Sequence, residues 1–257
     1  MIQEFHRPES VEEAVAIRKE KGTGACFLAG GFFLNSPESK GVCGCAISLE
    51  KVGMAEIGIG KDDVLIGACA TLQQVADNRD LPQVLRQAAG FQRARHFRTQ
   101  ITVGGDIASR RADSFTAAAL MAMNATVQTA ENGDMSVSDY VLNGCDDLII
   151  SVTVPRDNHR CCGLSRQTRT ERGPVLMNAA VGLSKDGDAA PVVVVSGLGL
   201  GLTRLPAVEA LLPNADLEAL EKAAAEAARP EEHWIGSVEF RKHLCGVAVA
   251  DCAKACK

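Results

Sequence analysis

The sequence predicts an α+β fold in two unlike parts. Short apolar runs of strand length alternate with helix-like stretches over the first 155 residues or so. At 156 the character changes, and "RDNHRCCGLSRQTRTERGP" is polar and basic, the composition of a crossing between domains. Beyond it, two apolar strands around a "KDGD" turn lead into a chain that is helical to its end.

Each element has a local reason. In "RPESVEEAVAIRKEKG", Ser10 caps a helix, Glu13 stands at capping-box distance, and Gly22 lies just past the end. "ACFLAGG" is a buried strand halted by glycine, and "CAISLEKV" is a second strand, giving a small α/β unit over residues 1–55. "DVLIGACA" is a further strand. "TLQQVADN" is a short helix capped by Thr71, and "LPQVLRQAAGF" is one with Pro82 in its first turn. "SFTAAALMAMNA" is apolar throughout, so it is a buried helix. "ATVQTAENGDMSVSDYV" holds a strand, a turn at "ENGD" and a second edge, and "DDLIISVTVP" is a strand ended by Pro155. "LPAVEALL", "LEALEKAAAEAA" and the terminal "SVEFRKHLCGVAVADCAKAC" are helices.

Composition narrows the function. A formal charge of −5 argues against nucleic acid and anionic membrane as partners. Aromatic residues make up 4 %, with one tryptophan (Trp234) and one tyrosine (Tyr140), too few for base-stacking platforms. No apolar run reaches membrane-spanning length, and "MIQEFHRPES" lacks the features of a signal peptide, so a cytoplasmic location is expected.

The ten cysteines show no C-x-x-C, and most lie in apolar surroundings such as "IGACATL" and "HLCGVAV". Two readings are open: buried thiols serving as small hydrophobes, or a metal or cluster site built on Cys43 with Cys45 or on Cys252 with Cys256. His6, His96, His159, His233 and His243 are scattered without metal-ligand spacing, and His159 reads as a solvated loop residue. No G-x-S-x-G nucleophile turn is present.

Three glycine-rich segments remain. Gly197, Gly199 and Gly201 follow "PVVVVS", but G-x-G-x-G is not the dinucleotide-binding spacing, and they fit a glycine-rich strand edge. Gly30 and Gly31 follow "ACFLA". Gly104 and Gly105 follow "QITV" and precede Asp106, Ser109, Arg110 and Arg111. Glycine leaves backbone amides uncovered, and consecutive amides can converge on phosphate oxygens. Serine and arginine can add to such a site, although a solvated turn with surface charges has the same composition.

Taken together, "LAGG-x-x-L" near residue 30 and "R-T-x-x-T-V-G-G-D-I-A" near residue 100 resemble the FAD-binding subunit of the molybdenum hydroxylases. That family includes xanthine dehydrogenases and the medium subunit of carbon monoxide dehydrogenase. "EFHRPESVEEAVAI", "VLIGACATLQQVAD", "LIISVTVP" and "GSVEFRKHLCGVAVADC" resemble further family segments, so the likeness spans nearly the whole chain. Its family helix carries a tyrosine where this chain has Phe240. "AGG-x-x-L-N" resembles most the short flavin subunits of selenate reductase or xanthine-dehydrogenase-like complexes.

The resemblance implies a two-part α/β FAD-binding domain of the vanillyl-alcohol oxidase/UDP-N-acetylmuramate reductase type at 1–156, with subdomains at about 1–55 and 56–156. It implies a small domain of antiparallel sheet and helices at 160–257. Phe27, Leu28, Ala29, Gly30, Gly31, Phe32, Phe33 and Leu34 would line the first pyrophosphate loop. Thr102, Val103, Gly104, Gly105 and Asp106 would form the second, with Ser109, Arg110 and Asp113 beside it. "RQTRTERGPVLMNAAV" would approach the flavin from the second domain, bringing Leu176 or Met177 against it. The implied role is electron transfer between a [2Fe–2S] small subunit and NAD(P) or another acceptor, beside a separate molybdenum-cofactor large subunit.

The departures are specific. Phe32 and Phe33 replace a polar pair, and Asp106 replaces an asparagine, which sets a carboxylate near a pyrophosphate unless Arg110, Arg111 or another group offsets it. Asp113 matches the family's acidic position only with a gap. Two alternatives therefore stand: a flavin-free structural subunit of the same fold, and a stand-alone NAD(P)H-dependent flavin reductase.

Overall fold

The computed structural model describes residues 2–256 apart from 37, 38, 40–42, 93, 157–159, 172, 188 and 213–215. The reading of His159 as a loop residue lies outside the described residues. The fold is α+β, as predicted, and is built on three sheets.

The first sheet is parallel, in the order β1 (Glu4–His6), β3 (Cys45–Ser48), β2 (Ala25–Leu28). Helix α1 (Val11–Lys21) covers it and buries Ala14 against Ala25, Cys45 and Ile47. The Ser10 hydroxyl accepts from the Glu13 amide, and Gly22 ends the helix at φ +65°, followed by a 3-10 turn over Gly22–Gly24.

The second sheet is antiparallel: β4 (Ile57–Ile59), β5 (Asp63–Gly67), β8 (Ile149–Pro155), β6 (Thr126–Thr129), β7 (Gly133–Ser136). Between β5 and β6 run α2 (Leu72–Asp77), α3 (Gln83–Phe91), α4 (Arg95–Arg98), α5 (Val103–Ser109) and α6 (Phe115–Ala122). Thr71 forms a complete capping box with Gln74. Every residue of α6 is buried, because it lies at the centre of the largest core. That core reaches from Val64, Ile66 and Val152 to Ala180 and Val194 of the third sheet, so the two parts of the chain share apolar contacts.

The third sheet is antiparallel: β12 (Leu200–Arg204), β11 (Val192–Gly197), β10 (Val175–Ser184), β9 (Arg160–Thr168). Its other face packs on α8 (Pro206–Glu209), α9 (Leu217–Ala227) and α10 (Val238–Ala255). No helix among the described residues is long and apolar enough to cross a membrane.

Several sequence expectations are corrected. Pro82 is the cap of α3 rather than a first-turn residue. "SVSDYVL" forms a helix, α7 (Val137–Leu142), capped by Ser136. The polar stretch after 156 is only in part a crossing. From Arg160 onward it is strand β9, held by the buried Arg160 guanidinium, which donates to the carbonyls of Ala122 (2.7 Å), Gly182 (3.1 Å) and Ala190 (3.0 Å). The Gly197–Gly201 segment is the β11–β12 hairpin, in line with the strand-edge reading.

Candidate functional site

The two double glycines fold differently. After β2 the chain bends at Ala29–Gly30, and Gly31 takes φ +73°, a conformation glycine permits. A Cβ on Gly30 would fall 1.6 Å from the Gln100 carbonyl oxygen, so the first loop lies directly against the segment that leads into the second. The chain then curls: Asn35 N–H donates to Gly31 O (3.0 Å), and Ser36 N–H donates to Phe33 O (2.9 Å). Among the described residues, the amides of Ala29 to Phe33 find no acceptor in the protein. Five consecutive backbone donors of this loop are thus left without a protein acceptor among the described residues.

The second double glycine is the start of α5, not a loop, which corrects the expectation. The Thr102 hydroxyl caps it. Its amides are already used: Val103 to Ala70 O (2.8 Å), Gly104 to Ala68 O (2.8 Å), Gly105 to Thr102 Oγ1 (3.2 Å), Asp106 to Thr102 O (2.8 Å). Gly104 has no room for a side chain, since a Cβ would sit 2.6 Å from that of Ala68. This segment is a tightly sewn wall.

Between the two lies a cleft of about 470 Å³. The predicted residues Phe27, Ala29, Gly30, Gly31, Phe32, Phe33, Leu34, Thr102, Gly104, Gly105, Asp106, Ser109 and Arg110 all line it. Leu28 and Val103 do not; Leu28 belongs to the strand, and Val103 is fully buried in the core. A second cleft of about 720 Å³ adjoins the first and shares Phe32, Ile101, Asp106 and Arg111 with it. Asp113 lines the second cleft. So do Arg166, Gly173, Pro174 and Val175, so the second part of the chain does approach the site. Leu176 and Met177 do not line it: both are buried, and the approach is made one residue earlier, ahead of a register shift between Val175 and Met177.

Phe32 stands where the clefts meet. Its ring packs edge-on to Phe97 at 4.9 Å, and the Arg111 guanidinium lies 5.3 Å from its centre. Phe97 and, just past β5, Ala68 and Cys69 also line the site, although no local pattern of residues marks them. The only signal for Ala68 and Cys69 was the resemblance of the "IGACAT" segment.

The charges differ from expectation. Arg110 does not face Asp106. Its guanidinium donates to the carbonyls of Val141 (3.2 Å), Tyr140 and Cys145 at the end of α7, and it lies over the Tyr140 ring. Arg111 forms a bidentate pair with Asp113 at 2.8 and 2.9 Å. Asp106 is buried, with Oδ2 accepting from the Ser114 hydroxyl at 2.6 Å. Burial pushes its carboxyl up to about 6, against the pull of that hydrogen bond.

The thiols are free, and Cys43, Cys45, Cys245 and Cys252 are buried. Burial pushes Cys245 up to about 12 and Cys252 well above its ordinary value. Cys252 and Cys256 point at the backbone carbonyls of Ala179 and Val181. The small-hydrophobe reading therefore fits them. Glu4, His6 and Cys45 bring possible ligand atoms within 4.8 Å, but the Lys21 ammonium, 2.9 Å from Glu4, already supplies a positive charge there.

Residues 1–157 match the family described as the FAD binding domain in molybdopterin dehydrogenase. Over 257 residues the chain is 33 % identical to the "Uncharacterized protein YgfM" of Escherichia coli (strain K12), covering 100 % of this chain and 97 % of that one. It has the fold of carbon monoxide dehydrogenase from Hydrogenophaga pseudoflava (TM-score 0.87, 22 % identity, 100 % of this chain and 97 % of that one). It also has that of quinoline 2-oxidoreductase from Pseudomonas putida 86 (TM-score 0.84, 18 % identity, 100 % and 97 %). The chain thus belongs to the FAD-binding family of the molybdopterin dehydrogenases, the flavin-binding type of molybdenum hydroxylase component.

Proposed function

We propose that this chain is the electron-transfer flavin subunit of a molybdenum hydroxylase complex, holding FAD across the two joined clefts. The observation that carries this reading is the row of five backbone amides at Ala29–Phe33 without a protein acceptor, in a loop that lines one cleft together with Gly104 and Gly105 of α5. Such a row suits pyrophosphate oxygens, because each N–H offers a partial positive charge without the desolvation cost of a lysine or arginine. Backbone donors need no particular side chain, so Phe32 and Phe33 can replace a polar pair without removing them.

The remaining lining divides by chemistry. Phe32, Phe97, Phe115, Pro174 and Val175 give the second cleft apolar surface for a ring system, and Asp106, Arg111 and Arg166 give it polar edges. Domains at 1–156 and 160–257 would then meet at the redox end of the site. When bound, FAD supplies two-electron acceptance and one-electron release. The chain itself positions the cofactor and excludes water; no described residue is needed as nucleophile or general acid. A [2Fe–2S] partner, a molybdenum-cofactor partner and NAD(P) or another acceptor complete the reading.

The test is a visible spectrum of the purified chain, then heat release of the chromophore and its mass. Released FAD supports the proposal. A colourless chain that takes up no added FAD supports the flavin-free structural subunit. A partner-free chain that oxidises NAD(P)H rapidly supports the stand-alone reductase.

A further inference from the structure

Asp106 presents a charge problem that the neighbouring arginines do not solve. Asp106 lines both clefts, and the smaller of them is lined as well by Gly104, Gly105 and the first-loop residues Ala29–Phe33. An anionic phosphate entering there meets a carboxylate in a setting of low polarity, where repulsion is poorly screened. Arg110 is committed to three carbonyls at the end of α7. Arg111 is held bidentately by Asp113, and against Asp106 these two charges act in opposite senses.

Further charged and titratable groups line the clefts: Arg95, His96 and Arg166 the larger, and Arg18, Asp146 and Asp147 the smaller. From α6 and its N-cap come the Ala117 amide and the Ser114 hydroxyl. The third sheet contributes Asn178, whose Nδ2 donates to Ser114 O at 3.3 Å. From α7, Asp139 bonds to Ser136, and the Tyr140 hydroxyl donates to Asp147 O. Strand β8 carries no titratable residue, and β5 carries only the exposed Asp63.

We infer that Asp106 takes up a proton when the phosphates of FAD enter the cleft, so that cofactor binding is proton-linked in this chain. The inference rests on the FAD reading above. The free carboxyl already holds its proton more tightly than usual because it is buried, and a phosphate beside it moves the balance the same way. Neutral Asp106 then offers an O–H donor where the ionised form offers only acceptors. The proton comes from solvent buffer, and no other bond changes.

The experiment is calorimetric titration of the flavin-free chain with FAD at pH 7, in buffers of different ionisation heat. The slope against buffer heat counts protons. The expected count is close to one per FAD for the wild type and zero for Asp106→Asn. Wild-type affinity should fall by up to about tenfold per pH unit between pH 7 and 8.5, and that of Asp106→Asn should stay level. Equal counts in the two proteins overturn the inference while leaving FAD binding intact. Heat from neither protein overturns the FAD reading and this inference together. As a check that needs no variant, infrared difference spectra of wild type with ¹³C-labelled aspartate should show a protonated carboxyl band on FAD addition; its absence counts against the proposal.

Discussion

The two double glycines look alike in sequence and do opposite things. Gly30 and Gly31 interrupt a strand and leave a run of amides open, whereas Gly104 and Gly105 start a helix whose amides are all bonded within the protein. The first pair has glycine because its backbone turns at φ +73° and lies on the Gln100 carbonyl. The second has glycine because α5 must touch Ala68. Glycine marks close backbone approach in both places, but only the first offers donors to a ligand.

That contrast can be broken most severely at Gly30. Gly30→Ala places a methyl 1.6 Å from a carbonyl oxygen. It should cost about 3 kcal/mol or more and abolish FAD uptake, as thermal unfolding and flavin titration would show. Next is Asp106→Asn. The folded carboxyl titrates at about 6 against 3.8 in the ordinary group, so the folded state binds the proton more tightly. Wild-type stability therefore falls as pH rises from about 4 through about 6, by about 3 kcal/mol at most. Asparagine carries no such loss, so the gap between variant and wild type should open over that window and stay constant above it in denaturant melts. Gly104→Ala should cost about 2 kcal/mol through overpacking on Ala68, with weaker FAD binding only to the extent that the wall shifts.

Smaller effects sharpen the comparison. Arg110→Ala removes three carbonyl contacts at the end of α7 and should cost about 1–2 kcal/mol, while FAD affinity stays where it was. A large loss of affinity instead would return Arg110 to the phosphate site. Asp113→Asn opens a half-exposed ion pair with Arg111 and should change stability by less than about 1 kcal/mol.

Much of this was legible in sequence. Ser10, Thr71 and the all-apolar α6 carry short-range signals that the structure obeys. The α7 helix was hidden because "SVSDYVL" is short and β-branched, and its order comes from Ser136 capping and from burial of Val137, Tyr140 and Val141. Strand β9 was hidden because its polar residues find partners far along the chain, as Arg160 does at Ala122 and Ala190. For the site, the sequence indicated which segments converge but not which amides were free. That depends on Ala68 and Ala70, whose carbonyls take the α5 amides. The turning away of Arg110 follows from its left-handed backbone at φ +48°, which no local pattern announces.

The central claim is that the first loop holds the cofactor and the second supports it. Hydrogen exchange by mass spectrometry, with and without FAD, tests it directly. The account predicts that residues 29–33 exchange fast in the free chain and become protected with FAD, while residues 103–106 are protected in both states. Fast exchange at 103–106 that FAD suppresses, with 29–33 unchanged, would contradict it.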